Sequence, residues 1–338
     1  MPSLNQTLKK IPGAKWLARK MTGSGNNASG DWLYTHEIVG WLYRPELRRQ
    51  MPFPYRLFST FAVAQKPIFQ TQILGGQCAF KKVIGLHKFF NGSEFAEVEL
   101  GKYKIFLNLR DPRMLQVPNE LLRGSDEVAI FKTFLNEGDT FVDVGANHGS
   151  FSIIASKLVG STGFLCAIEP QPRMAALVEK SLAANAQCKF KVHHVACGDR
   201  NGEVDFYIPE STSGTAGLFP GFSATAAHRK LTVPLKRFDD TIDWKSFPGK
   251  VFLKLDVEGS ELAFLRGASE MIRARRPQLL LEINPASSRA AGTSVENMIQ
   301  LLRELGYEHF VELKYPVKHK LLTEIDTKRQ RNVIVTVP

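Results

Sequence analysis

The chain has 338 residues, with 44 Lys and Arg against 33 Asp and Glu and a formal net charge of +11. That length accommodates one large domain or a domain with an extension, so a sizeable core is available. The excess charge sits at the front, where residues 1–70 carry ten Lys/Arg against Asp31, Glu37 and Glu46; the dense basic and aromatic interleaving of a nucleic-acid surface is lacking, and no nucleic-acid partner is expected.

Four cysteines, Cys78, Cys166, Cys188 and Cys197, show no CxxC and no paired spacing, which suits a reducing, cytoplasmic interior. No apolar run approaches the roughly 18 residues of a membrane-spanning helix, and MPSLNQTLKKIPGAKWLARKM has no signal-peptide h-region. The basic stretch 1–70, with Trp16, Trp32 and Trp41, offers two readings: peripheral contact with an anionic membrane, or short helices solvated by Lys and Arg on the main domain. The oligomeric state is left open.

In chain order, residues 1–75 read as a basic extension of helix-like pieces joined by the flexible link GSGNNASG. Residues 76–124 read as a β-rich lead-in, with CAFKKVIGL, AEVELG and KYKIFLNL punctuated by turn signals. A domain over 125–338 then opens on the helix SDEVAIFKTFLNEGD, with Ser125 as N-cap and acids in the first turn.

A regular alternation follows: strand TFVDVG, a helix from Ser150, strand FLCAIE, a helix from Pro172, and strand KFKVHHVA over 189–196. This is the pattern of a parallel α/β sheet covered by helices. EVDFYIP, a Ser/Thr/Gly-rich loop at 211–226 and KLTVPLKRF interrupt it. It resumes with strand KVFLKLDVEG, a helix GSELAFLRGASEMIRAR, strand QLLLEIN, helix SVENMIQLLRELG and the closing strands HFVEL and RNVIVTV. Seven sheet strands result, the last two expected as a hairpin.

Ligands of open α/β sheets sit outside the carboxyl ends of the strands. Those ends carry Asp143-Val-Gly145-Ala-Asn147-His148-Gly149, Glu169-Pro170, Asp256-Val-Glu258-Gly259 and Glu282-Ile-Asn284. Two glycines between a buried strand and a helix suggest a nucleotide loop, and Glu169, twenty residues after Gly149, suits a ribose. NAD and S-adenosylmethionine both present one. The spacing DxGxxxG differs from the dinucleotide GxGxxG, and an anionic Asp143 repels a pyrophosphate but not a sulfonium.

These residues resemble the FkbM-type class I methyltransferases, which use S-adenosylmethionine. The likeness lies in DVGANHGSFS (143–152), EPQP (169–172) with Asn185, ACGDRNGEVDFY (196–207), KLDVEGSELAFLRGA (254–268) and RPQLLLEI (276–283). It implies a Rossmann-like sheet of seven strands and a methyl acceptor that is a sugar, a glycolipid or another natural product. It also implies that Asp143, Gly145, Asn147, Gly149 and Ser150 form the cofactor loop, that Glu169 and Pro170 meet the ribose, and that Ala196, Cys197, Gly198 and Asp199 border the adenine. Asp256 and Glu258 then face the reacting methyl group.

A hydroxyl acceptor has to lose a proton, and Asp256, Glu258 and Glu282 are the candidates for base and orienting groups. The alternative for Asp256 and Glu258 is capping of the following helix and compensation of its dipole. Asp256, Glu258, Glu282 and Asn284 also offer hard oxygens for Mg²⁺, although no resident metal is expected. Lys254 reads as a salt-bridge partner, and His148 as loop filler or cofactor wall. The rival functions are a nicotinamide-dependent dehydrogenase and a non-catalytic cofactor-binding scaffold.

Overall fold

The computed structural model describes residues 95–100, 102–108, 111, 113, 117, 120, 121, 125–209, 213–220 and 228–336. The expectations for residues 1–94, including the Gly/Ser/Asn link, Trp16, Trp32, Trp41 and Cys78, lie outside the described residues. Residues Leu100–Pro338 form one compact unit. Among the described residues no helix is long and apolar enough to cross a membrane.

The first strands are β1 (Phe95–Leu100) and β2 (Tyr103–Asn108). Helix α1 (Asp126–Phe134) starts where expected, with Ser125 Oγ accepting from Val128 N. Then come β3 (Thr140–Val144), α2 (Ser150–Leu158), β4 (Phe164–Ile168), α3 (Pro172–Asn185) and β5 (Lys189–His193).

The stretch read as one strand over 189–196 divides. β5 ends at His193, and β6 (Ala196–Cys197) belongs to a separate three-stranded sheet with β7 (Gly202–Pro209) and β8 (His228–Lys236). The break moves Ala196, Phe206, Ile208, Val233 and Leu235 into a small core of their own. Strand propensity alone does not reveal it, because both halves are apolar enough to pair.

After the short helix α4 (Phe238–Thr241) the main sheet resumes with β9 (Val251–Leu255). The single helix expected next is two, α5 (Glu261–Gly267) and α6 (Ser269–Arg275), parted at Ala268. β10 (Gln278–Ile283), α7 (Pro285–Ala290), α8 (Val295–Glu304), β11 (His309–Glu312), β12 (Tyr315–Leu321) and β13 (Arg331–Thr336) complete the chain.

The main sheet has eight strands in the order β12-β11-β13-β10-β9-β3-β4-β5, not seven. β12 is the addition: it pairs antiparallel with β11, and β13 slots antiparallel between β10 and β11. Sequence periodicity misses β12 because YPVKHKL is an exposed edge strand, where Pro and Lys blunt further pairing instead of marking a core. The remaining seven strands give the Rossmann-like α/β sheet implied by the resemblance.

β3 and β9 are buried along their whole length, as parallel strands covered on both faces must be. Phe131 of α1 sits edge-on to Phe141 and Phe252 at 5.0 and 5.7 Å, fixing α1 to both. From β3 the chain moves out to β4 and β5, then returns to start the other half at β9. Strand order therefore reverses between β3 and β9, and the crevice outside their carboxyl ends is the place for a ligand.

On the outer side, α3 clamps the lead-in strand. Ser181 Oγ accepts from Phe106 N at 3.0 Å, and Asn185 Oδ1 from Lys104 N at 2.9 Å while its amide returns a bond to Lys104 O. Asn185 thus holds β2 onto the unit.

Candidate active site

From the end of β3, Gly145 (φ 83°), Asn147 (φ 51°) and Gly149 (φ 78°) carry the chain through left-handed backbone into α2. Gly145 N and Ala146 N each donate to Ile168 O at 3.0 Å. A Cβ on Gly145 would stand 2.1 Å from Asp256 O, so the tip of β9 demands glycine here. The loop and the carboxylate strand are in backbone contact at the switch point.

Glu169, at the tip of β4, is buried and ties the loop down: its Oε2 accepts from Asn147 N at 2.9 Å and its Oε1 from Gln171 N at 3.0 Å. Burial pushes its carboxyl up to about 7, against the two backbone donors that hold it down. With the Gln171 side chain as a third partner, the carboxylate still has acceptor capacity for a ligand hydroxyl.

Asp143, expected beside the cofactor's positive charge, lies wholly inside the protein. Ser152 Oγ donates to its Oδ2 at 2.6 Å, and Lys254 Nζ stands 3.4 Å from its Oδ1. It reaches the cavity only through Lys254, which stands 3.4 Å from Asp256 Oδ2 as well. Burial lowers the Lys254 pKa, but Asp256 and Asp143 together outweigh it and the net direction is up. The salt bridge expected for Lys254 is thus present, and doubled.

A cavity open to solvent lies above this crevice, with apolar walls broken by a few convergent polar groups. Asn147, Ser150 and Gly145 line it from the loop, Glu169 and Pro170 from β4, Val195 to Cys197 from the far side, and Asp256 and Glu258 from β9. Of the residues expected at a cofactor, Gly149, Gly198 and Asp199 are not in its wall. Gly149 is turned to Val178, and Gly198 and Asp199 line a second groove. Cys197 is in the wall with its thiol pushed up to about 12 by burial; Cys166 and Cys188 are also free and buried.

His148 is buried, with Nδ1 2.8 Å from Asn147 Oδ1 and Nε2 3.9 Å from Asp111 Oδ2. Burial lowers its pKa to about 4, opposed in part by Asp111. It braces the Asn147 amide from behind, the loop-filling part, and the cavity wall does not include it.

The second face of the site comes from residues that sequence reasoning missed. Asp111 accepts from Ser213 N at 3.0 Å and from its hydroxyl, and Asn147 Nδ2 donates to Ser213 Oγ at 2.9 Å. Arg113 Nη2 lies 2.5 Å from Glu120 Oε1, whose other oxygen accepts from Ser150 Oγ. Arg113 Nη1 is buried in the cavity wall with no hydrogen-bond partner. No periodicity marks these positions; an acid, a base and an acid at 111, 113 and 120 between a strand and a helix are the only signal.

Asp256, Glu258 and Glu282 do converge: each offers an oxygen lying within 4.8 Å of the others. Asp256 is exposed; Glu258 and Glu282 are half-buried. Glu258 adopts left-handed backbone (φ 50°), a conformation that costs of order 1–3 kcal/mol outside glycine. Buried Glu261 stabilises that turn by accepting from Val257 N at 3.2 Å and Gly259 N at 3.0 Å. Ser287 Oγ donates to Glu258 at 3.3 Å, and Gln330 Nε2 to Glu282 at 2.7 Å.

Burial first, and then the neighbouring carboxylates, raise Glu258 and Glu282 well above the ordinary carboxylate range. Neither Asp256 nor Glu258 caps α5, whose N-terminus has no side-chain cap. Asn284, offered as a fourth oxygen ligand, turns its Oδ1 to Ala286 N and Ser287 N and caps α7. The three carboxylates alone remain as a set that could hold a divalent cation.

Residues 143–309 match the family model described as the methyltransferase FkbM domain. A search by sequence among curated proteins finds no match. Among solved structures, a methyltransferase FkbM from Methylobacillus flagellatus is 15% identical, with 85% of this chain and 72% of that one covered and a TM-score of 0.35. An S-adenosylmethionine-dependent O-methyltransferase from Thermotoga maritima is 13% identical over 75% of this chain and 82% of its own, also at 0.35. For a methyltransferase from Aquifex aeolicus the figures are 16%, 66%, 95% and 0.35.

Proposed function

We propose that this chain, an FkbM-type and S-adenosylmethionine-dependent methyltransferase, transfers its methyl group to a hydroxyl oxygen of a sugar or glycosylated metabolite. The observation that carries the choice of oxygen is the gathering of Asp256, Glu258 and Glu282 at the tips of β9 and β10. An alcohol must give up a proton as its oxygen takes the methyl group. A carboxylate whose pKa is raised toward neutrality is the base suited to accept it.

The residues in the wall fit the cofactor. Arg113 presents a buried nitrogen without a partner, the donor an α-carboxylate needs. Glu169 has lone pairs for ribose hydroxyls, and Val195, Ala196, Cys197 and Leu218 form an apolar slot for the adenine. When bound, S-adenosylmethionine supplies a methyl group on positively charged sulfur. The chain holds the acceptor close and in line, a contribution of roughly 7–11 kcal/mol to such reactions. The Glu258–Glu282 pair takes the hydroxyl proton, and Lys254 fixes Asp256 as an orienting group.

The test has two arms. Calorimetric titration with S-adenosylhomocysteine and with NAD is expected to show binding of the first alone; NAD binding alone overturns the reading. Methyl-labelled cofactor offered with hydroxylated sugars and with cell extract is expected to place label on oxygen. Label on nitrogen or carbon removes the case for a carboxylate base.

A further inference from the structure

We infer that the groove on the far side of Leu218 and Ser260 is the acceptor's anchoring site, and that it takes a phosphate group carried by the sugar. The inference rests on the methyltransferase reading of the first cavity. Both cavities share Leu218 and Ser260 in their walls, so they adjoin. The groove is a second open concavity, and its wall runs on from that of the first at Leu218 and Ser260.

Its chemistry differs from that of the cofactor cavity. Arg200 and Arg266 line it, with Thr293 just before α8 and Asn297 in its first turn. Asp199 is the one acid in the wall among the described residues, and Arg200 Nη1 stands 3.7 Å from its carboxylate. Two arginines against one acid leave the wall net positive by one charge, with the Arg266 guanidinium in excess and Arg200 keeping further N–H donors for a phosphate oxyanion. The Asn297 amide donates to the Thr293 hydroxyl at 3.4 Å, and both groups keep further hydrogen-bonding capacity for sugar contacts.

The segments that carry the two arginines meet at their backbones. A Cβ on Gly267 would lie 1.9 Å from Gly198 O, so α5 and the β6–β7 loop are in direct contact at these two residues. Arg266 precedes one and Arg200 follows the other by two positions. Gly198 N is itself held by Lys236 O at 3.0 Å. On the other side of the dividing strip, the Cβ position of Gly217 is 3.2 Å from Glu258 O, which puts the strip directly against the carboxylate turn. A sugar hydroxyl at Glu258 and its phosphate between Arg200 and Arg266 lie on the two sides of one narrow wall.

The test uses the full chain. S-Adenosylhomocysteine affinity is measured first and reports on the cofactor cavity alone. Glucose, glucose 1-phosphate and UDP-glucose are then titrated with and without S-adenosylhomocysteine. Both phosphorylated probes, or either one, are expected to bind where glucose does not, and the two distinguish a simple sugar phosphate from a nucleotide-activated sugar. R200Q/R266Q is expected to weaken that binding about ten- to a hundredfold while S-adenosylhomocysteine affinity and the melting temperature, its measures of folding, stay at wild-type values. R200K/R266K is expected to recover part of it. Equal binding of glucose, no binding of either phosphorylated probe, or unchanged affinity in R200Q/R266Q overturns the inference. Loss of S-adenosylhomocysteine binding by the wild type with phosphate binding intact counts against the cofactor reading instead.

Discussion

Replacing Arg113 with methionine removes the guanidinium proposed to meet the cofactor's α-carboxylate while keeping most of the side chain's apolar length. Nη2 is committed to Glu120 at 2.5 Å, whereas Nη1 is buried in the cavity wall without a partner, so the available bond is a single charge-assisted one. Such a bond contributes about 1.5–3 kcal/mol, or roughly ten- to a hundredfold in affinity. Titrating wild type and R113M with S-adenosylmethionine and with its decarboxylated analogue isolates the carboxylate, because the two ligands differ in that group alone. Wild type is expected to prefer S-adenosylmethionine by that factor and R113M to bind both alike, with R113K partway between. Equal weakening of both ligands in R113M would mean that Arg113 only braces Glu120 and Ser150, and the assignment would be refuted.

Glu169→Gln leaves one acceptor oxygen where two backbone donors need two; cofactor affinity is expected to drop about fivefold to a hundredfold, and an undiminished affinity in calorimetry would contradict the role. Because the folded-state carboxyl is raised from 4.5 to about 7, the folded chain retains a proton that the unfolded chain has released. The Glu169 contribution to stability therefore falls as pH rises across that window, and denaturant titrations of E169Q are expected to show a flatter pH dependence there. Methyl transfer should rise with pH through a limb lying above the ordinary carboxylate range, since the base must be unprotonated; Glu282→Gln is expected to move or abolish that limb, and His148→Gln to leave it in place. Lys254→Met strands Asp143 in the core, a break that costs about 3–5 kcal/mol and lowers the melting temperature by on the order of 10 °C; adding Asp143→Asn should recover part of the loss, and failure to do so would show that the pair is not the cause.

The alternation from Thr140 to Leu255 was legible because buried parallel strands read as continuous apolar runs broken by helix-period segments. Asp256, Glu258 and Glu282 were legible for a related reason: the rule that ligands gather at strand ends turns a one-dimensional position into a three-dimensional one. The edge strand β12 has no buried face to leave a period, and the break after His193 depends on which sheet each half joins. Asp111 and Ser213 have partners far along the chain, Ser213 meeting Asp111 across 102 residues and Asn147 across 66, while Arg113 pairs with Glu120 seven residues on in a stretch whose spacing follows no strand or helix period. Asp143 shows the opposite failure. Its position in the motif was evident, but its side chain turns to Ser152 and Lys254, and only coordinates reveal which way a carboxylate points.

The contact between Gly145 and Asp256 O makes the donor loop and the carboxylate strand a single mechanical part. A substitution that shifts one is transmitted to the other within a bond length, so neither can be retuned alone. Attempts to widen the acceptor range by redesign should therefore leave residues 145 and 256 untouched and vary Phe219, which lines the second groove but not the cofactor cavity.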